Sequence, residues 1–269
     1  MKKFAVIGNP VVQSKSPMIH ENFAAQFGIE LEYSRLLSPI NAFEKTVETF
    51  FNCGGVGLNV TMPFKEQAFA MCDRLSDRAK IAEAVNTLYL KDGAIVGDTT
   101  DGEGVVRDLA FHNIELKDKR VLLIGAGGAA KGSVSSILSR NPQSLAIANR
   151  TARKAQDIAD NMADARVVAC GFNEVESNYD VIINSTSCSL TGEMPALDAK
   201  IFENAQAVYD MCYKDETTLF NIWASKHGNA KTLDGLGMLI EQAAESFFIW
   251  HGKMPNTSGI RTDLSKTGI

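Results

Sequence analysis

The chain has 269 residues, 45% of them apolar, enough for a large core and for two domains of ordinary size. Its 27 basic and 32 acidic residues leave a net charge of −5 and interleave along the whole sequence, which argues against nucleic acid as a partner. No apolar stretch is long enough to span a bilayer, and the opening apolar run breaks at Gly8-Asn9-Pro10, too soon for a signal peptide. The five cysteines are scattered, with no Cys-x-x-Cys or Cys/His pairing at metal-ligand spacing, so free thiols, no metal site and a cytoplasmic location are expected.

Short apolar runs alternate with amphipathic segments from the first residues to the last, which is α/β patterning. Phe4–Ile7 reads as a strand, and Ser16-Pro17 reads as an N-cap serine before a first-turn proline, with the helix running to Gly28. A strand at Leu31–Leu37, a helix around Phe43–Phe51 closed by Gly54-Gly55, and a strand at Val56–Val60 follow. Met62-Pro63-Phe64 then opens another helix. Asn86–Leu90 and Ala94–Gly97 flank Lys91-Asp92-Gly93, a hairpin signal that interrupts the parallel pattern.

A helix from Asp101 to about His112 leads through the charged connector Glu115–Lys119 into a second domain, and the hinge is placed near Asp101. Val121–Ile124 suits a strand buried on both faces, followed by a glycine turn of spacing G-x-G-x-x-A from Gly125 to Ala130. Gly125 permits the tight turn, Gly127 lets backbone N–H groups approach a pyrophosphate, and Ala130 keeps the helix close to the sheet. The strand Leu145–Ala148 then ends at Asn149-Arg150-Thr151, where an NAD enzyme usually carries an acid. Arg150, Arg153 and Lys154 suit the 2′-phosphate of NADP instead, although Arg150 also reads as a solvated side chain at a strand end. Val181–Asn184 and Ala207–Asp210 read as further strands of a doubly wound sheet. A long helix from roughly Met238 to His251 has apolar residues on several faces.

A hydride-transfer enzyme draws its hard chemistry from the cofactor and must itself supply orientation and one proton group. His20, His112, His227 and His251 stand apart in unremarkable contexts. The segment from Asn59 to Lys65 is more suggestive, because a strand end delivers an amide, a hydroxyl and a lysine within seven residues, the lysine in a helix's first turn where its charge opposes the dipole. Gly97–Gly102 adds a polar cluster with Asp98 and Asp101. Taken alone, Lys65 reads by default as a solvated side chain, and Asp101 reads equally as the N-cap of the helix that follows.

Several ordered motifs carry a resemblance. Asn9-Pro10, Ser14–Pro17, Asn59–Lys65, Ala84–Thr87, Thr100–Gly102, the glycine turn, Asn149–Thr151, Asn184–Ser187 and Asp234–Met238 together resemble shikimate dehydrogenases over nearly the whole length. The resemblance implies an α/β substrate-binding domain of residues 1–101 plus 238–269 and a Rossmann-type NADP-binding domain of residues 102–237, with the substrate cleft between them. It implies reversible NADPH-dependent reduction of 3-dehydroshikimate to shikimate, in aromatic amino-acid biosynthesis, by a monomer or homodimer. Ser14 and Ser16 would hold the substrate carboxylate; Asn59, Thr61, Asn86, Tyr213 and Gln242 would bind the rest of the substrate; Lys65 and Asp101 would be the catalytic pair. Cofactor contacts fall on Gly125, Ala126, Gly127, Gly128, Ala129, Asn149, Arg150, Thr151, Lys154, Thr186, Ser187, Met211, Gly235 and Met238.

The chain departs from the family pattern at Thr99, where asparagine is usual, at Lys214-Asp215, which lacks a common proline, and at Lys154, where relatives often carry arginine. Three other readings stand beside the first. They are a quinate/shikimate dehydrogenase of broader substrate use, a non-catalytic sensor of a nucleotide and a small acid, and a methylene-tetrahydrofolate dehydrogenase, for which the paired serines have no obvious use.

Overall fold

The computed structural model describes residues 1–266. The chain divides into two units, Met1–Gly104 with 240–266, and Val105–Leu239. The expected domain limit at residue 269 extends past the described residues.

In the first unit β1 (Lys2–Gly8), α1 (Ser16–Ala25), β2 (Leu31–Leu37), α2 (Phe43–Asn52), β3 (Gly55–Val60), α3 (Lys65–Met71), β4 (Arg74–Leu75), α4 (Asp77–Ala82), β5 (Thr87–Lys91), β6 (Ala94–Asp98) and α5 (Asp101–Phe111) succeed one another. The division between the units falls inside α5. The strands form one sheet in the order β2-β1-β3-β5-β6-β4. β1 is parallel to both β2 and β3, while β5 and β6 form the antiparallel hairpin foreseen around Lys91-Asp92-Gly93.

β1 is apolar from Phe4 to Ile7 because both of its faces are covered. Ala5 and Ile7 pack with Phe43, Val47 and Phe51 of α2 and with Phe64 and Ala68, whereas Phe4 and Val6 pack with Tyr33 and Trp250. This interior strand brings the loop after β1 and the end of β3 together: Thr61 N–H donates to the Ile7 carbonyl at 2.9 Å, and Asn9 N–H donates to the Met62 carbonyl at 3.0 Å.

One local expectation is corrected here. Ser16 is the first residue of α1 and not its N-cap; the Ile19 N–H bonds to the Lys15 carbonyl, and Lys15 is the cap. The serine before proline gave the usual cap signature, but the Ser16 hydroxyl is turned to Ser14 instead. The helix also ends at Ala25, with Gly28 in the left-handed region at φ +62° beyond it.

The second unit continues with β7 (Arg120–Ile124), α6 (Gly128–Ser139), β8 (Ser144–Asn149), α7 (Ala152–Met162), β9 (Val167–Gly171), β10 (Val181–Asn184), α8 (Cys188–Thr191), β11 (Ala207–Asp210), α9 (Leu219–His227) and β12 (Lys231–Leu233). Helix α10 (Leu236–His251) starts in this unit and returns the chain to the first, where α11 (Ser258–Lys266) follows. All six strands are parallel, in the order β12-β11-β10-β7-β8-β9. In chain order that is 6-5-4-1-2-3, the doubly wound arrangement whose ligand crevice opens where the order reverses, between β7 and β10. Alternate residues of β7 feed two cores, Val121 and Leu123 on one face, Leu122 and Ile124 on the other. Among the described residues no helix is long and apolar enough to cross a membrane.

Candidate active site

In the first unit the strand ends and helix starts bring charged and polar side chains onto one spot. Lys65 opens α3, and its Nζ donates to Asp101 Oδ2 at 2.6 Å. A cation at a helix N-terminus is unfavourable, and the Asp101 carboxylate supplies the compensating charge. Asp101 in turn opens α5. The Gly104 N–H bonds to the Thr100 carbonyl at 3.0 Å, so Thr100 occupies the cap position and the Asp101 side chain is left for Lys65.

Asn86 holds the other carboxylate oxygen. Its Nδ2 donates to Asp101 Oδ1 and to Thr100 Oγ1, both at 2.9 Å, and to Gln242 Oε1 at 3.2 Å; its Oδ1 accepts from the Thr100 N–H at 2.9 Å. Asn59 is fixed more fully. Its Nδ2 reaches the Asn86 carbonyl at 3.2 Å and Ser246 Oγ at 3.0 Å, and its Oδ1 accepts from the Tyr33 hydroxyl at 2.7 Å. Burial pushes the Tyr33 phenol well above its ordinary range, with a smaller opposite pull from the Ser16 hydroxyl. Ser14 and Ser16 lie with their hydroxyl oxygens 3.2 Å apart, and Arg35 grips the Ser14 carbonyl at 2.6 and 2.9 Å. Two hydroxyls converging at that spacing suit the two oxygens of one carboxylate.

Ser14, Ser16, Asn59, Lys65, Asn86, Asp101 and Gln242 thus gather in one unit, with Thr61 immediately after β3. Tyr213 belongs to the second unit, in the loop after β11 and partly exposed, and burial raises its phenol. Sequence reasoning missed Tyr33 and Ser246 and gave no role to Thr87 and Thr100, which stand within its motifs; these four complete the network. Ser246 had a signal: it stands four residues after Gln242 on α10 and so shares its face. Thr99, where the family usually has asparagine, is buried and its N–H donates to Asp98 Oδ1 at 2.7 Å; the hydrogen bonds to Asn86 come from Thr100.

In the second unit the remaining candidates lie at the C-terminal ends of parallel strands. Gly125 has φ +108°, and a Cβ there would stand 2.5 Å from Ser185 Oγ, so both backbone and space require glycine. Gly127 and Gly128 have open space where a Cβ would go, and α6 begins between them with no capping side chain and no acid in its first turn. Ala126 and Ala130 are buried and Ala129 half-buried, so the helix packs closely on the sheet. An uncapped helix N-terminus reached by bare glycine backbone fits the pyrophosphate of a dinucleotide. After β8, Asn149 bonds the Thr151 carbonyl at 2.9 Å, and Arg150 and Lys154 are exposed and form no ion pair among the described residues. Arg153 is paired with Asp157 at 2.8 Å. With no acid at this strand end, the site fits a 2′-phosphate.

Thr186 is tied to Asn184 Oδ1 by its hydroxyl at 2.7 Å, Met211 N–H bonds the Asn184 carbonyl, and Gly235 packs so closely on the Met211 carbonyl that a Cβ would overlap it. Ser187, exposed, and Met238, half-buried in the first turn of α10, complete this rim.

This pairing of a Lys-Asp site with a six-stranded doubly wound unit matches known proteins along the whole chain. The pattern described as the shikimate dehydrogenase substrate binding domain matches residues 6–88, that of shikimate / quinate 5-dehydrogenase residues 108–207, and that of the shikimate 5′-dehydrogenase C-terminal domain residues 235–262. The chain is 48% identical to a shikimate dehydrogenase (NADP(+)) of Vibrio cholerae, over 98% of this chain and 96% of that one.

The chain belongs to the shikimate dehydrogenase family.

Two solved structures place the likeness in three dimensions. An Ael1 enzyme from Pseudomonas putida is 38% identical with a TM-score of 0.96, covering 98% of both chains. Shikimate 5-dehydrogenase from Thermus thermophilus, solved with NADP(H) and shikimate, is 29% identical with a TM-score of 0.88 over 100% of both. As a member of this family the chain has a substrate-binding domain and a Rossmann-type NADP domain, as the sequence motifs led us to expect.

Proposed function

We propose that the protein catalyses the reversible, NADPH-dependent reduction of 3-dehydroshikimate to shikimate, a step of the shikimate pathway of aromatic amino-acid biosynthesis. The observation that carries this reading is the 2.6 Å Lys65–Asp101 pair within a network that also holds Asn59, Asn86 and Gln242. A non-catalytic binder would have no use for a proton-handling pair.

NADPH is held by the glycine turn from Gly125 to Ala129 at the pyrophosphate, by Asn149, Arg150, Thr151 and Lys154 at the adenosine 2′-phosphate, and by Thr186, Ser187, Met211, Gly235 and Met238 toward the nicotinamide. When bound, NADPH supplies the hydride that a ring carbonyl carbon accepts. Lys65 gives a proton from Nζ to the carbonyl oxygen as the carbon–oxygen π pair moves onto that oxygen, and in the oxidative direction takes it back. Asp101 orients the ammonium and offsets its charge, and Asn86 fixes Asp101 through the second carboxylate oxygen.

Ser14 and Ser16 donate to the substrate carboxylate. Thr61, Asn86 and Gln242 meet ring hydroxyls. Asn59 acts as an acceptor: its amide N–H groups are directed at the Asn86 carbonyl and Ser246 Oγ, so Oδ1, which accepts from Tyr33, is the atom it presents to the substrate. A ring hydroxyl therefore donates to it. A cytoplasmic location belongs to the same proposal, on the ground of five unpaired thiols in a biosynthetic enzyme.

The reading is tested by incubating the protein with 3-dehydroshikimate and NADPH and measuring both products. Equimolar NADPH loss and shikimate formation are expected; unchanged NADPH with no shikimate contradicts the proposal.

A further inference from the structure

Asp98 closes β6 three residues before Asp101, and its carboxylate is held from several sides. Arg78 of α4 donates Nε to Oδ1 at 2.7 Å and Nη2 to Oδ2 at 2.9 Å, and the Ser76 hydroxyl and the Thr99 N–H add to Oδ1. The same Nη2 donates to Glu245 Oε1 of α10 at 3.1 Å. All three charged side chains are little exposed, at 22% for Arg78, 12% for Asp98 and 10% for Glu245, so solvent does not loosen the arrangement.

None of these three residues has a part in the chemistry above, yet they flank it on both sides. The Asp98 carbonyl accepts from the Asn86 N–H at 3.0 Å, and the chain runs directly from Asp98 through buried Thr99 and Thr100 to Asp101. Glu245 lies between Gln242, which accepts from Asn86, and Ser246, whose hydroxyl lies 2.8 Å from Thr87 and 3.3 Å from Thr100. Arg78 therefore joins the corner that carries Asp101 to the helix that carries Gln242, with Asn86 between them.

The geometry points to Arg78 as a positioning residue: its two-pronged hold on Asp98 sets the corner between β6 and α5 and so keeps the Asp101 carboxylate within reach of Lys65. This rests on the reading of Lys65 and Asp101 as the reacting pair. A guanidinium fork fixes both the distance and the rotation of the carboxylate it grips, which a single ammonium does not. Only the buried Thr99 and Thr100 separate Asp98 from Asp101, so a rotation of the first is passed on to the second, and a misplacement of about 1 Å at a reacting group costs on the order of 100-fold in rate.

The experiment compares Arg78→Met, Arg78→Lys and the double variant Arg78→Met/Asp98→Asn with the parent enzyme. It measures kcat and KM for shikimate, NADP⁺ affinity by fluorescence, and Tm. In Arg78→Met, kcat is expected to fall roughly 30- to 100-fold while KM for shikimate stays within about threefold, since the serine pair and the dinucleotide site are not touched. NADP⁺ affinity stays at the parent value. Arg78→Lys recovers only part of the rate. In the double variant the unpaired carboxylate is gone and Tm returns toward the parent, but kcat stays low because the fork is still missing.

A kcat for Arg78→Met within twofold of the parent overturns the inference, as does full recovery of kcat in the double variant, which would leave the buried charge as the only concern. If Arg78→Met does not fold, Arg78→Lys decides: a kcat equal to the parent's overturns the inference. Failure of the parent enzyme to oxidise shikimate at all defeats the functional reading and this inference with it, whereas an active parent with an unaffected Arg78→Met defeats the inference alone.

Discussion

Lys65 and Asp101, thirty-six residues apart in the chain, meet at 2.6 Å, and each is the first residue of a helix. The carboxylate sits where a helix dipole favours it and the ammonium where a dipole opposes it, so the pair relieves a local electrostatic conflict while holding a proton donor in the site.

Replacing Lys65 with methionine keeps the stem and removes the proton. General acid–base catalysis is worth roughly 10²- to 10⁴-fold, so turnover should fall within that range or below it. NADP⁺ affinity, measured by fluorescence titration, should be unchanged because the glycine turn lies in the other unit. Turnover within threefold of the parent would remove Lys65 from its role.

Ser16→Ala removes one of the two hydroxyls assigned to the substrate carboxylate. A hydrogen bond to a charged group is worth about 1.5–3 kcal/mol, which predicts a rise in KM for shikimate of roughly 10- to 150-fold. Steady-state kinetics at saturating NADP⁺ checks this, and an unchanged KM would place the carboxylate elsewhere.

Arg150→Ala should weaken NADP⁺ by a similar factor of roughly 10- to 150-fold, and leave the weaker binding of NAD⁺ nearly untouched, since only the former carries the 2′-phosphate. Calorimetric titration of both cofactors measures the contrast. Equal losses for the two would mean that Arg150 meets a group they share.

His20 gives the fold a pH dependence. The ring is fully buried, stacked on Tyr33 at 4.5 Å between centroids, and neither nitrogen has a partner of good hydrogen-bond geometry. Burial pushes the imidazole down to about 3, against an opposing pull from Asn59 and with a further push down from His251. The unfolded chain therefore binds a proton near pH 6.5 that the folded one refuses until about pH 3, and stability is full above 6.5 and falls as the pH drops through that window. From pH 6.5 to 4 the loss is on the order of 3 kcal/mol. His251, lowered by burial to about 4, acts in the same direction. His20→Phe should make Tm fall less steeply over this range; a slope equal to the parent's would show that His20 does not control it.

The sequence revealed those parts of the fold whose physics is local. β7 reads as buried because it is apolar without alternation, the turn after it because Gly125 needs positive φ, and the hairpin because Lys91-Asp92-Gly93 separates two short apolar runs. The two-residue β4 and the six-residue α4 left no such trace, being too short for a period to show. Ser16-Pro17 carried a cap signature that Lys15 took, because the hydroxyl had a better use beside Ser14. Lys65 and Asp101 stood out singly, but the sequence could not place them at 2.6 Å from one another. The Arg78–Asp98 fork was not legible, since the partners are 20 residues apart and Arg78 alone resembles an ordinary helix position, and the spacing of Ser246 from Gln242 showed a shared face but not its bond to Asn59.

The most direct measurement is the initial rate of cofactor reduction, followed by absorbance, for shikimate and quinate with NADP⁺ and with NAD⁺. The account predicts a high kcat/KM for shikimate with NADP⁺, values with NAD⁺ lower by an order of magnitude or more, roughly the worth of one lost charge-assisted contact, and a lower value for quinate, which adds a hydroxyl at the carbon bearing the carboxylate. Comparable rates with NAD⁺ would contradict the 2′-phosphate site, comparable rates with quinate would move the protein to the broader quinate/shikimate class, and no rate with any pair in a protein that still binds NADP⁺ would contradict the enzyme reading itself.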